Sequence, residues 1–163
     1  MHPDWEILVE NLRSELQAYG GLLQLFTEQQ DNLLRGDPDA VLSYAHEIEA
    51  QVRVTAELRD RREDAVQHFA ESKKQPATST LRQLLSLFPD EVRPLLSALI
   101  DEINHLIRRV RNGVKRNHQM IHRAMEIHQD TLRALRPAAF TRTYSPHGSV
   151  SIGGEQPAWQ AAG

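Results

Sequence analysis

A helix stop and a helix start fall almost on top of one another in Asp31-Asn-Leu-Leu-Arg-Gly-Asp-Pro-Asp-Ala40, and this stretch constrains the fold more than any other. Gly36 can take the left-handed conformation that ends a helix. Asp37 then offers an N-cap carboxylate, Pro38 a preset φ at the first helical position, and Asp39 a negative charge beside the positive end of the next helix dipole. A link this short joins antiparallel neighbours. The corner is therefore read as the tip of a helical hairpin.

The flanking sequence supplies both arms. Trp5, Leu8, Leu12, Leu16, Tyr19, Leu23, Phe26 and Leu33 recur at three-four spacing with Gln30 the polar member of the row, which predicts a helix over about 4–35. Gly20-Gly21 interrupts it with residues that each cost about 1 kcal/mol relative to alanine, so a bend or a close approach by another helix is expected there. Val41, Tyr44, Ile48, Val52, Leu58, Ala65 and Phe69 predict a second helix over about 38–73, with Thr55 and Arg62 on or near its stripe and a far end that reads as weakly apolar. Residues 72–80 have the polar, proline-containing composition of a loop. A short helix over about 79–87 follows, then a Phe88-Pro89-Asp90 break at which Asp90 or a neighbour can cap. A last helix is predicted over about 90–135, with Pro94 tolerated in its first turn. Residues 137–163 lose all helical period and are read as a mobile tail. The expected fold is all-α: an elongated antiparallel helical hairpin or coiled coil, with the long third helix completing a bundle over 1–136 and a flexible C-terminal tail.

Composition narrows the function. There is no cysteine, which excludes disulfide frameworks, zinc ribbons and thiol nucleophiles. The longest stretches without Asp, Glu, Lys or Arg are 12 residues, and an acid stands where a signal peptide carries basic residues, so neither a membrane span nor an export signal is expected. The net charge of −3 hides an uneven distribution. Residues 1–71 carry 15 acids against 6 bases, and residues 101–136 carry 4 acids against 8 bases. Oppositely charged arms favour packing on each other. The basic helix lacks the clustered run and interleaved aromatics of a nucleic-acid surface, and no nucleic-acid partner is expected.

Chemistry is sparse. His118 and His122 share a helical face, with Glu126 four residues on, but no second ligand pair accompanies them. Glu102-Ile-Asn-His105 matches the element used by carboxylate-bridged di-iron bundles, which need two copies, and only one is present. No phosphate-cradling loop or nucleophile elbow occurs. No metal, no cofactor and no catalysis are expected; the chain is read as a binding protein. The last helix keeps a clean stripe through Val92, Leu96, Leu99, Ile103, Leu106 and Val110. Its row then turns mixed: Gly113 or Val114, Asn117, Ile121, Met125, His128, Leu132 and Leu135. Such a row is either a core with a specifying asparagine or a groove edge covered when a partner arrives. Phe140, Tyr144, Val150, Ile152 and Trp159 beyond it suggest a docking segment.

The order of these features resembles the FlgN family of flagellar export chaperones. The likeness rests on a long first helix, the Leu33-Leu-Arg-Gly-Asp-Pro-Asp-Ala40 corner, a second long helix, a short helix near a Leu-Phe-Pro break, and a last helix carrying Asn117. Thr143-Tyr-Ser-Pro-His-Gly-Ser149 is similar to the family's Tyr-x-x-x-Gly element, and the likeness spans roughly residues 5–150. It implies a cytoplasmic chaperone that binds hook-filament junction proteins (FlgK/FlgL-like), prevents premature assembly and delivers them to the type III export gate or ATPase complex. It implies no cofactor. Client contact then maps to Val114, Asn117, Ile121, Met125, Leu132, Tyr144, Pro146 and Gly148. The alternative is a self-associating coiled-coil adaptor, and a homodimer is compatible with either.

Overall fold

The computed structural model describes residues 4–135, 143–144 and 150–151. The described residues are helical almost throughout: α1 Asp4–Arg35, α2 Pro38–Ser72, α3 Leu81–Leu84 running into a 3₁₀ turn Leu85–Leu87, and α4 Arg93–Leu135. The chain divides into two compact units, Met1–Met120 and Ile121–Gly163.

In the first unit, α1 and α2 form the antiparallel hairpin. Gly36 takes φ +71, its N–H donates to Leu33 O, and Asp37 N–H donates to Asn32 O at 3.1 Å, which together close α1 in a Schellman motif. Asp37 then accepts from Ala40 N at 3.0 Å and Pro38 opens α2. The Gly20-Gly21 expectation resolves into a close approach at Gly21. Gln51 of α2 donates to Ala18 O at 3.0 Å. A Cβ on Gly21 would stand 3.3 Å from that amide nitrogen, whereas Gly20 faces open space.

The core lies where α1, α2, α3 and α4 meet. Leu8 and Leu12 of α1, Val66, Phe69 and Ala70 of α2, Leu81 and Leu84 of α3, and Leu96 and Ile103 of α4 are buried together, with Phe88 from the break. Each such side chain removed from water contributes about 1.5–3 kcal/mol. Phe88 stacks on Phe69 at 4.1 Å between centroids, with 11° between ring planes. This reverses one expectation: the far end of α2 is its buried end, while Val52, earlier in the stripe, is exposed. The polar residues on that stripe are accommodated rather than excluded. Thr55 Oγ1 donates to Val52 O, and Arg62 reaches Glu15.

The buried seam of α1 also differs from the predicted row. It runs Leu8, Leu12, Glu15, Ala18, Leu22, Phe26 and Gln29, so Leu22 and Gln29 are buried where Leu23 and Gln30 were expected. Steps of three and four residues keep this seam turned toward its neighbours. The short helix begins at Leu81 with a Thr80–Gln83 capping box. α4 begins at Arg93, a few residues past Asp90, whose carboxylate pairs with Arg93 at 2.6 Å. Arg93 also donates to Phe88 O and Ser86 O, each at 2.8 Å, tying the break to the start of α4.

In the second unit, α4 continues through Ile121 to Leu135. Within the stretch read as an irregular tail, β1 Thr143–Tyr144 pairs antiparallel with β2 Val150–Ser151, Tyr144 opposite Val150. The other residues of 137–163 lie outside those described.

Candidate functional site

Two polar layers interrupt the apolar packing of the first unit. The lower one is Glu15, fully buried, facing Arg62, whose Nε and Nη2 donate to the carboxylate at 2.6 and 3.5 Å. A buried carboxylate is tolerable only with such a partner. Tyr19, one turn above, has its phenol pKa raised from the ordinary 10.0, first by burial and then by the Glu15 charge; Arg59, Arg62 and Arg111 pull in the opposite direction.

The upper layer is centred on Asn117, which is 2% exposed. Its Nδ2 donates to Phe26 O at 2.8 Å and to Gln29 Oε1 at 3.1 Å, and Gln29 Nε2 donates in turn to Val41 O at 3.3 Å. One relay therefore links α4, α1 and α2. Because both partners of Nδ2 are acceptors, the amide orientation is determined by the network. Asn117 Oδ1 is buried with no hydrogen-bond partner among the described residues. The upper row of α4 is thus a core with a specifying asparagine at this level.

Beyond Asn117 the same face of α4 opens to solvent. Val114 is 45% exposed in the first unit. In the second unit Ile121 is half-buried, while Met125 and Leu132 are 59% and 51% exposed, and Ile127 and Leu135 are exposed as well. Ile121, Met125 and Leu132 sit at i, i+4 and i+11, which places them along one side of the helix. A row of large apolar side chains that no described residue covers has the form of a docking surface. The local polar contacts of this helix are exposed ones: His122 with Glu126 at 3.6 Å, and Arg133 with Asp130 at 3.5 Å. Among the described residues no three His, Asp or Glu side chains are grouped to hold a metal.

Of the residues expected to contact a client, Val114 is exposed and Asn117 buried against α1 in the first unit, while Ile121, Met125 and Leu132 lie along one side of the helix in the second. Tyr144 is placed through its backbone in β1, while Pro146 and Gly148 lie outside the described residues. Sequence reasoning missed Glu15 and Gln29. Their signal was the three-four register itself, since both fall on the seam that passes through Leu8, Leu12, Leu22 and Phe26.

A family model, that of FlgN protein, matches residues 1–152. The chain belongs to the FlgN family. FlgN proteins are a family of flagellar export chaperones, not of enzymes. No curated protein and no solved structure matches the chain. Among the described residues of this FlgN-family chain, no helix is long and apolar enough to cross a membrane.

Proposed function

We propose that this FlgN-family chain is a cytoplasmic chaperone for hook-filament junction proteins of the FlgK/FlgL kind, holding them unassembled and handing them to the export gate or its ATPase complex. The observation that carries the proposal is the uncovered apolar row of α4. Ile121, Met125 and Leu132 are the contacts, Val114 is a further one, and Asn117 acts from beneath by fixing where the helix leaves its core. Tyr144, Pro146 and Gly148 are assigned to the same client contact from the family likeness.

A client segment that folds into an amphipathic helix would bury its apolar face on this row. Ordering such a segment costs free energy, which offsets part of the contact energy and keeps the complex releasable. A Met125→Glu/Leu132→Glu variant is expected to lose binding to the C-terminal segments of junction proteins by at least roughly tenfold in isothermal titration, since two charges then face the apolar client. Its helicity should be unchanged. Wild-type affinity in that folded variant, or no complex with the unmodified chain, would refute the proposal.

Self-association is the second reading, favoured by exposed Leu34, Leu42 and Val52 on the hairpin. It cannot run through Leu12, which is 1% exposed and already packed in the core. Sedimentation equilibrium of a Leu42→Glu/Val52→Glu variant separates the readings: an adaptor or homodimer using this face dissociates, while a client contact on α4 is untouched.

A further inference from the structure

The client proposal leaves unused a charged surface within Met1–Met120. No Asp or Glu occurs between Glu102 and Glu126, whereas Arg108, Arg109, Arg111, Lys115 and Arg116 all do. All five are exposed, and none forms an ion pair or hydrogen bond with a described residue. Arg59, Arg62, Arg82 and Arg93 of the same unit each hold a carboxylate. Other cations of the unit, such as Arg13, Arg35 and Arg61, also hold no carboxylate among the described residues, but on α4 such cations stand together with no acid between them.

They also adjoin a cavity. An open cleft of about 360 Å³ is lined by residues of α1, α2, α3 and α4, with buried Leu12, Leu81 and Ile103 beneath it, half-buried Ile100 and Ile107 along its α4 wall, and Arg62, Arg82 and Asn104 among its polar lining. Asn104, Arg108, Arg111 and Lys115 follow at i, i+4, i+7 and i+11, so the cations continue the α4 wall of the cleft along one flank. Arg111 lies close enough to Tyr19 to act on its phenol together with Arg59 and Arg62 of α2. An apolar wall and a run of unpaired cations thus belong to a single surface.

We propose that this surface docks an acidic amphipathic segment of a partner protein, with apolar side chains against half-buried Ile100 and Ile107 and carboxylates against Arg108, Arg111 and Lys115. Charge complementarity selects the acidic flank, and the cleft selects the apolar one. A nucleic acid meets the charge condition but not the apolar one. α4 contains no Phe, Tyr or Trp on which a base could stack, and the 15 acids of residues 1–71 repel a uniformly anionic polymer at long range.

The test uses the full chain and a fluorescein-labelled synthetic helical peptide with glutamates along one flank and leucines along the other, followed by fluorescence anisotropy at low salt. Binding is expected, with affinity falling roughly tenfold or more in an Arg108→Glu/Arg111→Glu variant whose thermal midpoint is unchanged. A similar fall is expected for peptides in which glutamine replaces glutamate or alanine replaces leucine. The Met125→Glu/Leu132→Glu variant should bind this peptide like the parent, which separates this surface from the client row. The proposal is overturned if the glutamate peptide does not bind, if either peptide control or the Arg108→Glu/Arg111→Glu variant binds like the parent pair, if Met125→Glu/Leu132→Glu abolishes binding, or if a single-stranded oligonucleotide of equal charge binds more tightly.

Discussion

Glu15 has no exposed surface, yet it lies on the apolar seam of α1, so its stability contribution depends on Arg62. Arg62→Ala leaves a carboxylate buried without its cation and is expected to cost about 3–5 kcal/mol in urea unfolding. A Glu15→Leu/Arg62→Leu pair should recover most of that loss, because neither charge then remains to be desolvated. Recovery by the double variant would distinguish a desolvation penalty from simple loss of packing. Tyr19 gives a second prediction at this scale. Its folded-state pKa is raised, so the neutral phenol is favoured in the native protein. The associated stability is fully present below the ordinary value of 10.0 and is lost as pH rises through the folded-state value. As pH rises from 10.0 through the folded-state value, thermal midpoints should therefore fall less steeply in Tyr19→Phe than in the parent.

The two ends of the hairpin helices use the same backbone device with different residues. α1 closes through Gly36, for which φ +71 is unstrained, whereas α2 closes through Lys74 at φ +55, with Gln75 N–H donating to Ala70 O and Lys74 N–H to Glu71 O. Glycine before the Asp37-Pro38 start made the first stop legible in the sequence. A lysine at the corresponding place in α2 carries no such signal, and the end of that helix could be placed only from the polar composition after it. Gly36→Val is expected to destabilise by about 1–2 kcal/mol, since a β-branched residue is forced into left-handed space. Lys74→Gly should stabilise by about 0.5–1 kcal/mol, the relief of the same strain less the extra freedom of glycine in the unfolded chain. Chemical denaturation of the two variants checks both signs. Client binding should follow neither change, because the corner and the α2 terminus set the scaffold and contribute no contact to the proposed client row.

At the scale of the molecule, the division at Met120 falls just beyond the Asn117 relay. A chain ending at residue 120 retains all the buried core residues among those described and both polar layers, and is expected to melt cooperatively as a helical protein while failing to bind client segments. Circular dichroism and titration on that truncation test the two halves of the statement separately: a non-cooperative melt would contradict the first, and retained client binding the second. The charge asymmetry of the chain belongs at this scale too. Opposite charges on the first arms and the last helix were expected to pair as the helices packed, but Arg108, Arg109, Arg111, Lys115 and Arg116 hold no carboxylate among the described residues.

The sequence by itself determined the helical class, the antiparallel hairpin at Gly36-Asp37-Pro38, the break before the last helix and the family likeness. Each of these is encoded locally, in caps, prolines and a three-four apolar period that needs no partner to be read. Tertiary structure alone decided which polar residues share the seam. A buried Glu15 or Gln29 is acceptable only when Arg62 or Asn117 arrives from another helix, and that pairing is not visible in the period of either strand of sequence. It also separated the two halves of the last apolar row: residues up to Val110 and Asn117 are covered because α1 lies against them, whereas Met125 and Leu132 have the same spacing and remain exposed. Periodicity records which face of a helix is apolar; only packing determines where along the helix that face is covered.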